Sequence, residues 1–238
     1  MREVKSYSDQ DLMSTDAALT IRDYMIDVLR SKRSFSLVLS GGHILQSLYK
    51  TLFYIDSLPW EKIHFFITDE RCLPNENLDS NFKSAVKNLL KRSNIPLQNI
   101  HWINTEIIPL NQAVEEYENT LRSYLEENEN SFDLLLLSMG PDGHVASLFP
   151  GFTALFEKKR LVVLTERALL DPRVERITMT LPALNRANKI LFFISDEICS
   201  VVLDEIMNRS EEDRFSYPAE QVLGRQNHQI WYILRGSL

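Results

Sequence analysis

Short apolar runs alternate along the chain with segments of helical periodicity, and this alternation constrains the fold more than any other feature. The apolar runs are 35–39, 63–67, 100–103, 133–137, 160–164, 176–181, 189–194 and 229–234. The helical segments are 12–30, 44–53, 79–91, 111–127 and 196–207. The strands are apolar on both faces, which is typical of a parallel sheet buried between helices. The pattern predicts an α/β fold with three layers, α/β/α, around a mostly parallel, doubly wound sheet.

The composition is that of an ordinary globular protein, with 44% hydrophobic and 25% charged residues among 238. A chain of this length suits one large domain or two small ones. The sequence contains no internal repeat, low-complexity tract or linker with a shift in composition. We therefore expect a single domain over residues 1–238, with the polar stretch 208–216 as a surface loop.

Charge and hydropathy narrow the classes of partner. The formal net charge of −7 argues against nucleic acid or an anionic membrane, because both need a basic protein surface. The polar N-terminus does not resemble a signal peptide, and the longest apolar runs are far shorter than a membrane span. We expect a soluble, cytoplasmic monomer whose partner is a small molecule.

The two cysteines, Cys72 and Cys199, lie far apart and in no paired spacing. They predict neither a disulfide framework nor a zinc knuckle. No other metal-ligand spacing occurs in the sequence, so no metal site is expected. Arg71 could lower the pKa of the adjacent Cys72 thiol, but a lone thiol without an assigned base is a weak candidate nucleophile.

Three loops follow predicted strands and carry unusual polar content. They are "SGGH" after 35–39, "TDERCLPNENLDSN" after 63–67, and "GPDGHVASLFPG" after 133–137. In an open parallel sheet, ligands bind at the carboxyl ends of the strands, where such loops converge. The sequence therefore predicts a functional site at this edge of the sheet.

The loop "GPDGHVASLFPG" is the most informative of the three. Gly140 and Gly143 bracket a Pro-Asp turn, which presents Asp142 and His144 at the end of the strand. Histidine transfers protons near neutral pH, and a neighbouring carboxylate can fix its tautomer and raise its basicity. The alternative is that Asp142 caps a helix beginning near Val145, with His144 only a first-turn residue.

Two arginines are candidates for holding an anion. Arg71 follows two carboxylates in "TDER" and could bind a phosphate or carboxylate through two hydrogen bonds, although an internal ion pair that fixes the loop is the alternative. In the predicted strand 176–181, Arg176, Thr178 and Thr180 share one face. These side chains need hydrogen-bond partners, which either a ligand anion or a neighbouring acidic loop would provide.

Other polar residues have structural interpretations. The residues Asp-Ser-Asn at 79–81 are typical of an N-cap at the start of a helix. His64, His101 and His228 lie within or beside predicted strands, and we expect them to be structural. The charged residues of 115–127 are interpreted as the solvated face of a helix.

The stretch "LVLSGGHILQSL" runs from an apolar strand through Gly41 and Gly42 into an amphipathic helix. Glycines there allow the backbone to approach an anion at the helix N-terminus, where unpaired N–H groups and the helix dipole favour negative charge. The next residues, His43, Ile44 and Leu45, bring no hydroxyl group. From these residues alone, a phosphate-binding corner, an altered one and a plain strand-to-helix turn all remain open.

Taken together and in order, these motifs resemble the 6-phosphogluconolactonase family, whose fold is shared with glucosamine-6-phosphate deaminases and is of the NagB/RpiA-like type. The matching segments are "LSGG" (39–42), "TDERCLP" (68–74) with "SN" (80–81), "GPDGHVASLFPG" (140–151), "RITMTLPALNRANKILFFIS" (176–195) and "YPAEQV" (217–222). The resemblance covers nearly the whole chain. The deaminase branch generally has Asn-Glu-Pro where this chain has "SLFPG", which favours the lactonase branch.

The resemblance implies hydrolysis of 6-phosphoglucono-δ-lactone to 6-phosphogluconate, a step of the oxidative pentose phosphate pathway, without metal or cofactor. It implies that His144 is the general base, that Asp142 orients it, and that Arg71 contributes to catalysis by stabilising negative charge. The implied residues that bind substrate or its phosphate are Gly41, Gly42, His43, Asp69, Asn81, Gly143 and Arg176.

This chain departs from the family pattern in the expected phosphate site. Ser-Thr-Pro usually follows the glycine pair, where His43, Ile44 and Leu45 stand here; Asp196 and Cys199 stand where the family tends to have a glycine and a lysine. Each lost charge-assisted hydrogen bond could cost roughly 1.5–3 kcal/mol, and His43 could compensate by donating to phosphate. Two alternatives follow: a catalytically weak or inactive sugar-phosphate-binding protein of the same fold, and an enzyme for a less phosphorylated ester.

Overall fold

The computed structural model describes residues 2–73, 80–92, 94–168, 170–208 and 217–236. The strands are β1 (Arg2–Tyr7), β2 (Phe35–Leu39), β3 (Ile63–Ile67), β4 (Asp69–Arg71), β5 (Ile100–His101), β6 (Phe132–Ser138), β7 (Val162–Leu164), β8 (Arg176–Met179), β9 (Ala187–Ser195) and β10 (Gln229–Leu234). The α-helices are α1 (Gln10–Leu29), α2 (His43–Phe53), α3 (Asn81–Ala85), α4 (Leu110–Glu127), α5 (Leu181–Leu184), α6 (Asp196–Asn208) and α7 (Pro218–Gln221).

Within these ranges, seven parallel strands form the central sheet, in the order β1-β10-β9-β6-β2-β3-β5. After the edge strand β1, the chain builds outward from β2 through β3 to β5, returns to the other side of β2 with β6, and continues to β9 and to β10, which pairs with β1. The order therefore reverses between β2 and β6, and the crevice at the carboxyl ends of these two strands is the expected ligand site.

Hydrophobic side chains cover both faces of this sheet, because successive residues of a strand point to opposite sides. In β6, Leu134 and Leu136 pack with α1, α2 and α3, whereas Leu135 and Leu137 pack with α4, α5 and α6. All four leucines are buried. The predicted three-layer α/β/α architecture is confirmed, and that residues 1–238 form one domain stays a prediction.

Two predicted strands do not belong to the central sheet. The segments 160–164 and 176–181 supply β7 and β8, which pair antiparallel with each other and with β4 in a separate three-stranded sheet. The apolar pattern does not reveal this, since β8 is buried along its whole length, as a central strand is, and β7 consists of apolar residues. The strand β4 was not predicted from the sequence, because its three residues are all charged.

Other boundaries differ from the prediction. The edge strand β1 was missed because it is mostly exposed and polar. The predicted strand 100–103 pairs only at its first two residues. The predicted helix 79–91 consists of α3 followed by a π-helical turn, Val86–Leu90, while Ser80 accepts the Lys83 N–H as the predicted N-cap. In the predicted surface loop 208–216, residue 208 ends α6 and 209–216 lie outside the described residues.

Candidate active site

A cavity of about 200 Å³ opens at the carboxyl ends of β2 and β6. It is lined by Ser40, Gly41, Gly42, His43, Ile44, Asp69, Arg71, Asn81, Ser138, Met139, Gly140, His144, Ala146, Arg176, Ser195, Ile198 and Cys199. The structure thus brings the three predicted loops together at one cavity. Among the predicted site residues, Asp142 and Gly143 are not in the lining and lie next to His144 in the loop after β6.

A short hydrogen bond joins the imidazole of His144 to the carboxylate of Asp142. The distance from His144 Nδ1 to Asp142 Oδ1 is 2.5 Å, and the same oxygen accepts the His144 backbone N–H at 3.2 Å. Burial raises the pKa of Asp142, but the hydrogen bonds and charge of His144 outweigh burial and hold that pKa below its usual value. An ionised carboxylate can only accept a hydrogen bond, so Nδ1 is the donor in this pair and Nε2 is the ring nitrogen left for other contacts.

The loop that carries this pair is shaped by its glycines. Gly140 N–H donates to His144 O and Gly143 N–H donates to Gly140 O. A Cβ added to Gly140 would lie 2.0 Å from His144 Cε1, and Gly143 has a φ of +78° that side-chain-bearing residues rarely adopt. The alternative that Asp142 caps a helix is wrong, because Val145 forms isolated β-bridges instead of starting a helix.

In the turn after β2, neighbouring side chains lie too close to the backbone of Gly41 and Gly42 to leave room for a Cβ. A Cβ on Gly41 would lie 2.0 Å from Asn81 Oδ1, and one on Gly42 would lie 2.7 Å from Ser138 Oγ. Gly42 is the N-cap of α2, and no side chain caps this helix. The first N–H groups of α2 therefore face the cavity beside His43, in an arrangement suited to an anion.

The two acidic residues of the second loop are held by hydrogen bonds. Asp69 accepts the hydroxyl protons of Thr68 at 2.8 Å and Ser147 at 2.6 Å. Glu70 accepts four donors: the backbone N–H groups of Arg71, Asn81 and Phe82, and the hydroxyl of Ser80. Burial raises the pKa of Glu70 in spite of these bonds. Glu70 is thus held by backbone N–H groups and a hydroxyl, which is not the ion pair that the sequence offered as an alternative.

Arg176 is buried in the cavity wall, with 4% of its surface exposed. Its guanidinium lies over the Phe149 ring at 5.3 Å, and Nη2 is 3.4 Å from the carbonyl of Pro172. Its Nε has no hydrogen-bond partner among the described residues. Burial lowers the pKa of Arg176 against the attraction of nearby Asp69. This buried cation is therefore suited to bind an anionic ligand.

The threonines predicted beside Arg176 have other partners. Thr178 Oγ1 accepts the N–H of Ser147, and Thr180 Oγ1 donates to the carbonyl of Arg160. Ser147 was missed by the sequence analysis, because only the antiparallel pairing of β4 with β8 brings it to Asp69. Ser138 was also missed, although its place at the carboxyl end of β6 could have indicated it.

Neither cysteine has the properties of a nucleophile. Burial raises the pKa of Cys72 to about 12, so the expected lowering by Arg71 is wrong; the nearby carboxylates of Glu175 and Glu70 act in the same direction as burial. Cys199 is buried in the cavity wall, and its Sγ donates to the carbonyl of Met139 at 3.3 Å. Among the described residues, no group of three or more His, Cys, Asp or Glu side chains is arranged to hold a metal ion.

The histidines predicted to be structural lie away from the cavity. His64 Nδ1 and His101 Nε2 are 3.1 Å apart, and their rings stack between β3 and β5. His228 precedes β10, at the amino ends of the parallel strands, whereas the cavity lies at their carboxyl ends. Within the described ranges, no helix is both long enough and apolar enough to cross a membrane.

Comparison with known proteins agrees with this architecture. Residues 8–231 match the family model described as glucosamine-6-phosphate isomerases/6-phosphogluconolactonase. The 6-phosphogluconolactonase of Thermotoga maritima is 36% identical over 213 residues, which span 90% of each chain. The 6-phosphogluconolactonase of Synechocystis sp. is 36% identical over 201 residues, 83% of this chain and 81% of that one.

Solved structures show the same fold. The crystal structure of 6-phosphogluconolactonase from Thermotoga maritima superposes with a TM-score of 0.84 and 33% identity, covering 98% of this chain and 99% of that one. The structure from Trypanosoma brucei superposes with a TM-score of 0.84 at 24% identity, covering 99% and 96%. These likenesses confirm the NagB/RpiA-like fold and the resemblance stated from the motifs. The chain belongs to the glucosamine-6-phosphate isomerase/6-phosphogluconolactonase family.

Proposed function

We propose that this protein is a 6-phosphogluconolactonase, which hydrolyses 6-phosphoglucono-δ-lactone to 6-phosphogluconate with His144 as general base. The observation that carries this proposal is the 2.5 Å bond between His144 Nδ1 and Asp142 Oδ1 beside a cavity that also contains Arg71 and Arg176. A lactonase needs a base for the attacking water and positive charge for the oxyanion and the phosphate. The names of the relatives support the same activity.

Substrate binding uses the basic and N–H-rich parts of the cavity. The phosphate is held at the N-terminus of α2 by the backbone N–H groups around Gly41 and Gly42, with His43 beside them. Arg71 and Arg176 neutralise the phosphate or the charge that develops at the carbonyl oxygen. Asn81 and Asp69 complete the binding surface.

The reaction follows from the orientation of His144. Nε2 takes a proton from water as the water oxygen attacks the lactone carbonyl carbon, which gives a tetrahedral oxyanion. Collapse of this intermediate restores the carbonyl and breaks the bond from that carbon to the ring oxygen. The imidazolium returns its proton to the ring oxygen, which leaves as a hydroxyl group. Asp142 stabilises the imidazolium between the two proton transfers, and Gly143 supplies the turn that places it.

The proposed phosphate corner differs from that of the relatives the motifs resemble, since His43 replaces a hydroxyl and Cys199 replaces a lysine. Cys199 uses its thiol proton on the Met139 carbonyl and brings no positive charge. We therefore expect weaker phosphate binding than a site with the extra lysine would give. His43 lies at the first position of α2, where its ring can reach a bound phosphate.

The test is hydrolysis of freshly generated 6-phosphoglucono-δ-lactone above the spontaneous rate, with unphosphorylated gluconolactone measured in parallel. We expect faster turnover of the phosphorylated lactone. A protein that is stabilised by 6-phosphogluconate in thermal unfolding but gives no rate above background would instead be a sugar-phosphate-binding protein. Faster turnover of gluconolactone would identify a less phosphorylated substrate.

Three further properties belong to the proposal. The reaction needs no metal ion or cofactor, since His144 activates the water, and EDTA should leave kcat unchanged.

The protein acts as a monomer, which light scattering would test. It acts in the cytoplasm, although a relative from Arabidopsis thaliana is named as chloroplastic; fluorescence microscopy of a tagged chain would distinguish the two locations.

A further inference from the structure

The segment "YPAEQV" (217–222) takes no part in the proposed chemistry, yet it contacts the loop that carries it. Ala219 N–H donates to Gly143 O at 3.0 Å. The Tyr217 ring covers the same glycine, because a Cβ placed on Gly143 would lie 2.6 Å from Tyr217 Cδ1. Tyr217 is not among the residues that line the cavity. The contact with Gly143 gives Tyr217 a route to the reaction through the loop.

Gly143 is the residue through which such an effect would reach the base. It lies between Asp142 and His144 in the chain, and its φ of +78° sets the turn that brings the carboxylate to the imidazole. Inside the loop, Gly143 N–H is fixed to Gly140 O at 3.0 Å. The contacts of 217–222 fix the other side of Gly143. The peptide on which the Asp142–His144 bond depends is thus held from two directions.

The segment that covers Gly143 is itself anchored. The buried Glu220 carboxylate accepts the backbone N–H of Tyr217 at 3.1 Å. Asn185 donates to Gln221 O through Nδ2 at 3.0 Å. The Tyr217 hydroxyl donates to Glu205 of α6 at 2.5 Å, and α6 supplies residues of the cavity wall. A segment tied at these points can resist movement of the loop it covers.

We propose that Tyr217 is a positioning residue for the lactonase reaction, whose ring packs on Gly143 and holds His144 in the orientation that Asp142 sets. This inference rests on the proposed function, since it assigns Tyr217 to the base of that reaction. The ring provides the contact with Gly143, and the hydroxyl bond to Glu205 steadies the ring. Loss of the ring lets the loop turn away from the cavity, which lowers the rate of the chemical step more than substrate affinity.

The experiment measures kcat and KM for wild-type protein and for Tyr217→Phe, Tyr217→Leu and Tyr217→Ala. We expect Tyr217→Ala and Tyr217→Leu to lower kcat by about tenfold or more, since small misplacements of a catalytic group are costly, while KM changes by less than about threefold. Tyr217→Phe keeps the ring and should restore kcat to within about threefold of wild type. Tyr217→Leu keeps most of the apolar volume and tests the same ring contact if Tyr217→Ala does not fold.

Tyr24→Ala is the matched control, because Tyr24 is also a half-buried tyrosine and lies by Phe35 and Asp133 at the amino ends of β2 and β6. It should lower the melting temperature and leave kcat unchanged. If the wild type is active and kcat is unchanged in both Tyr217→Ala and Tyr217→Leu, this inference is overturned while the proposed function stands. Equal losses in Tyr217→Phe and Tyr217→Ala would also overturn it, since the ring would then not be responsible. An inactive wild type would overturn the proposed function, and this inference with it.

Discussion

Arg71 and Arg176 lie directly opposite each other on the neighbouring antiparallel strands β4 and β8. Like charges at opposed positions of two strands repel, and Arg176 is also almost completely buried. Both arginines line the cavity, and among the described residues no carboxylate is within ion-pair distance of Arg176. We propose that an anion bound between the two arginines offsets this repulsion.

Replacing Arg176 should weaken binding of the product without lowering the free energy of unfolding. We expect Arg176→Met to bind 6-phosphogluconate at least about tenfold more weakly, because a charge-assisted bond is lost. The free energy of unfolding should stay the same or rise by about 1 kcal/mol, since an apolar side chain replaces a buried charge. Calorimetric titration and urea unfolding measure the two quantities. Arg186→Met, at the amino end of β9, is the control and should leave affinity unchanged. A large loss of stability in Arg176→Met would contradict this account of the pair.

The corner at Gly41 should not tolerate a side chain. In Gly41→Ala the new Cβ would meet Asn81 Oδ1 at 2.0 Å, so the Asn81 side chain must move and its hydrogen bond to Asp69 O is disturbed. We expect a loss of about 1–3 kcal/mol in the free energy of unfolding, together with weaker product binding. Gly236→Ala is the control, since a Cβ there meets nothing within 4 Å. Equal stability of the two variants in urea would show that the Gly41 corner is loosely packed.

The stacked histidines predict a dependence of stability on pH. Burial lowers the pKa of His101 to about 4, and His64 acts in the same direction. The unfolded chain, in which this pKa is 6.5, therefore binds more protons between pH 6.5 and about 4. The stabilisation is fully present above pH 6.5 and is lost as the pH falls through this window.

His101→Phe should therefore lose less unfolding free energy than wild type when the pH is lowered from 7 to 5. Phe66 already stacks on the His101 ring, with centroids 4.5 Å apart, so an aromatic replacement keeps that contact. Urea unfolding at both pH values provides the comparison. Identical pH dependence of the two proteins would mean that His101 does not titrate differently on folding.

The sequence predicts which residues meet at the cavity where polar residues directly follow buried strands. Gly41, Arg71 and His144 all stand at the carboxyl ends of predicted parallel strands, so the topology alone brings them together. The opposed arginines could not be predicted, because their pairing depends on the antiparallel register of β4 with β8. The hydrogen bond from Ser147 to Asp69 depends on the same register.

The edges of the fold were harder to predict than its centre. The strand β1 is polar and mostly exposed, and it is recognised as a strand only through its pairing with β10. The strand β4 consists of three charged residues, and its two buried carboxylates, Asp69 and Glu70, depend on hydrogen bonds from distant parts of the chain. Local pattern carries no information about such partners.

The measurement that tests the central claim most directly is kcat for lactone hydrolysis by His144→Ala beside wild type. The claim that His144 is the general base predicts a fall in kcat of about 10²–10⁴-fold, with 6-phosphogluconate still bound. His228→Ala is the control, since His228 is exposed and lies at the amino end of β10, away from the cavity at the carboxyl ends of the strands. A His144→Ala protein whose kcat stays within about threefold of wild type, far less than a general base contributes, would contradict the account.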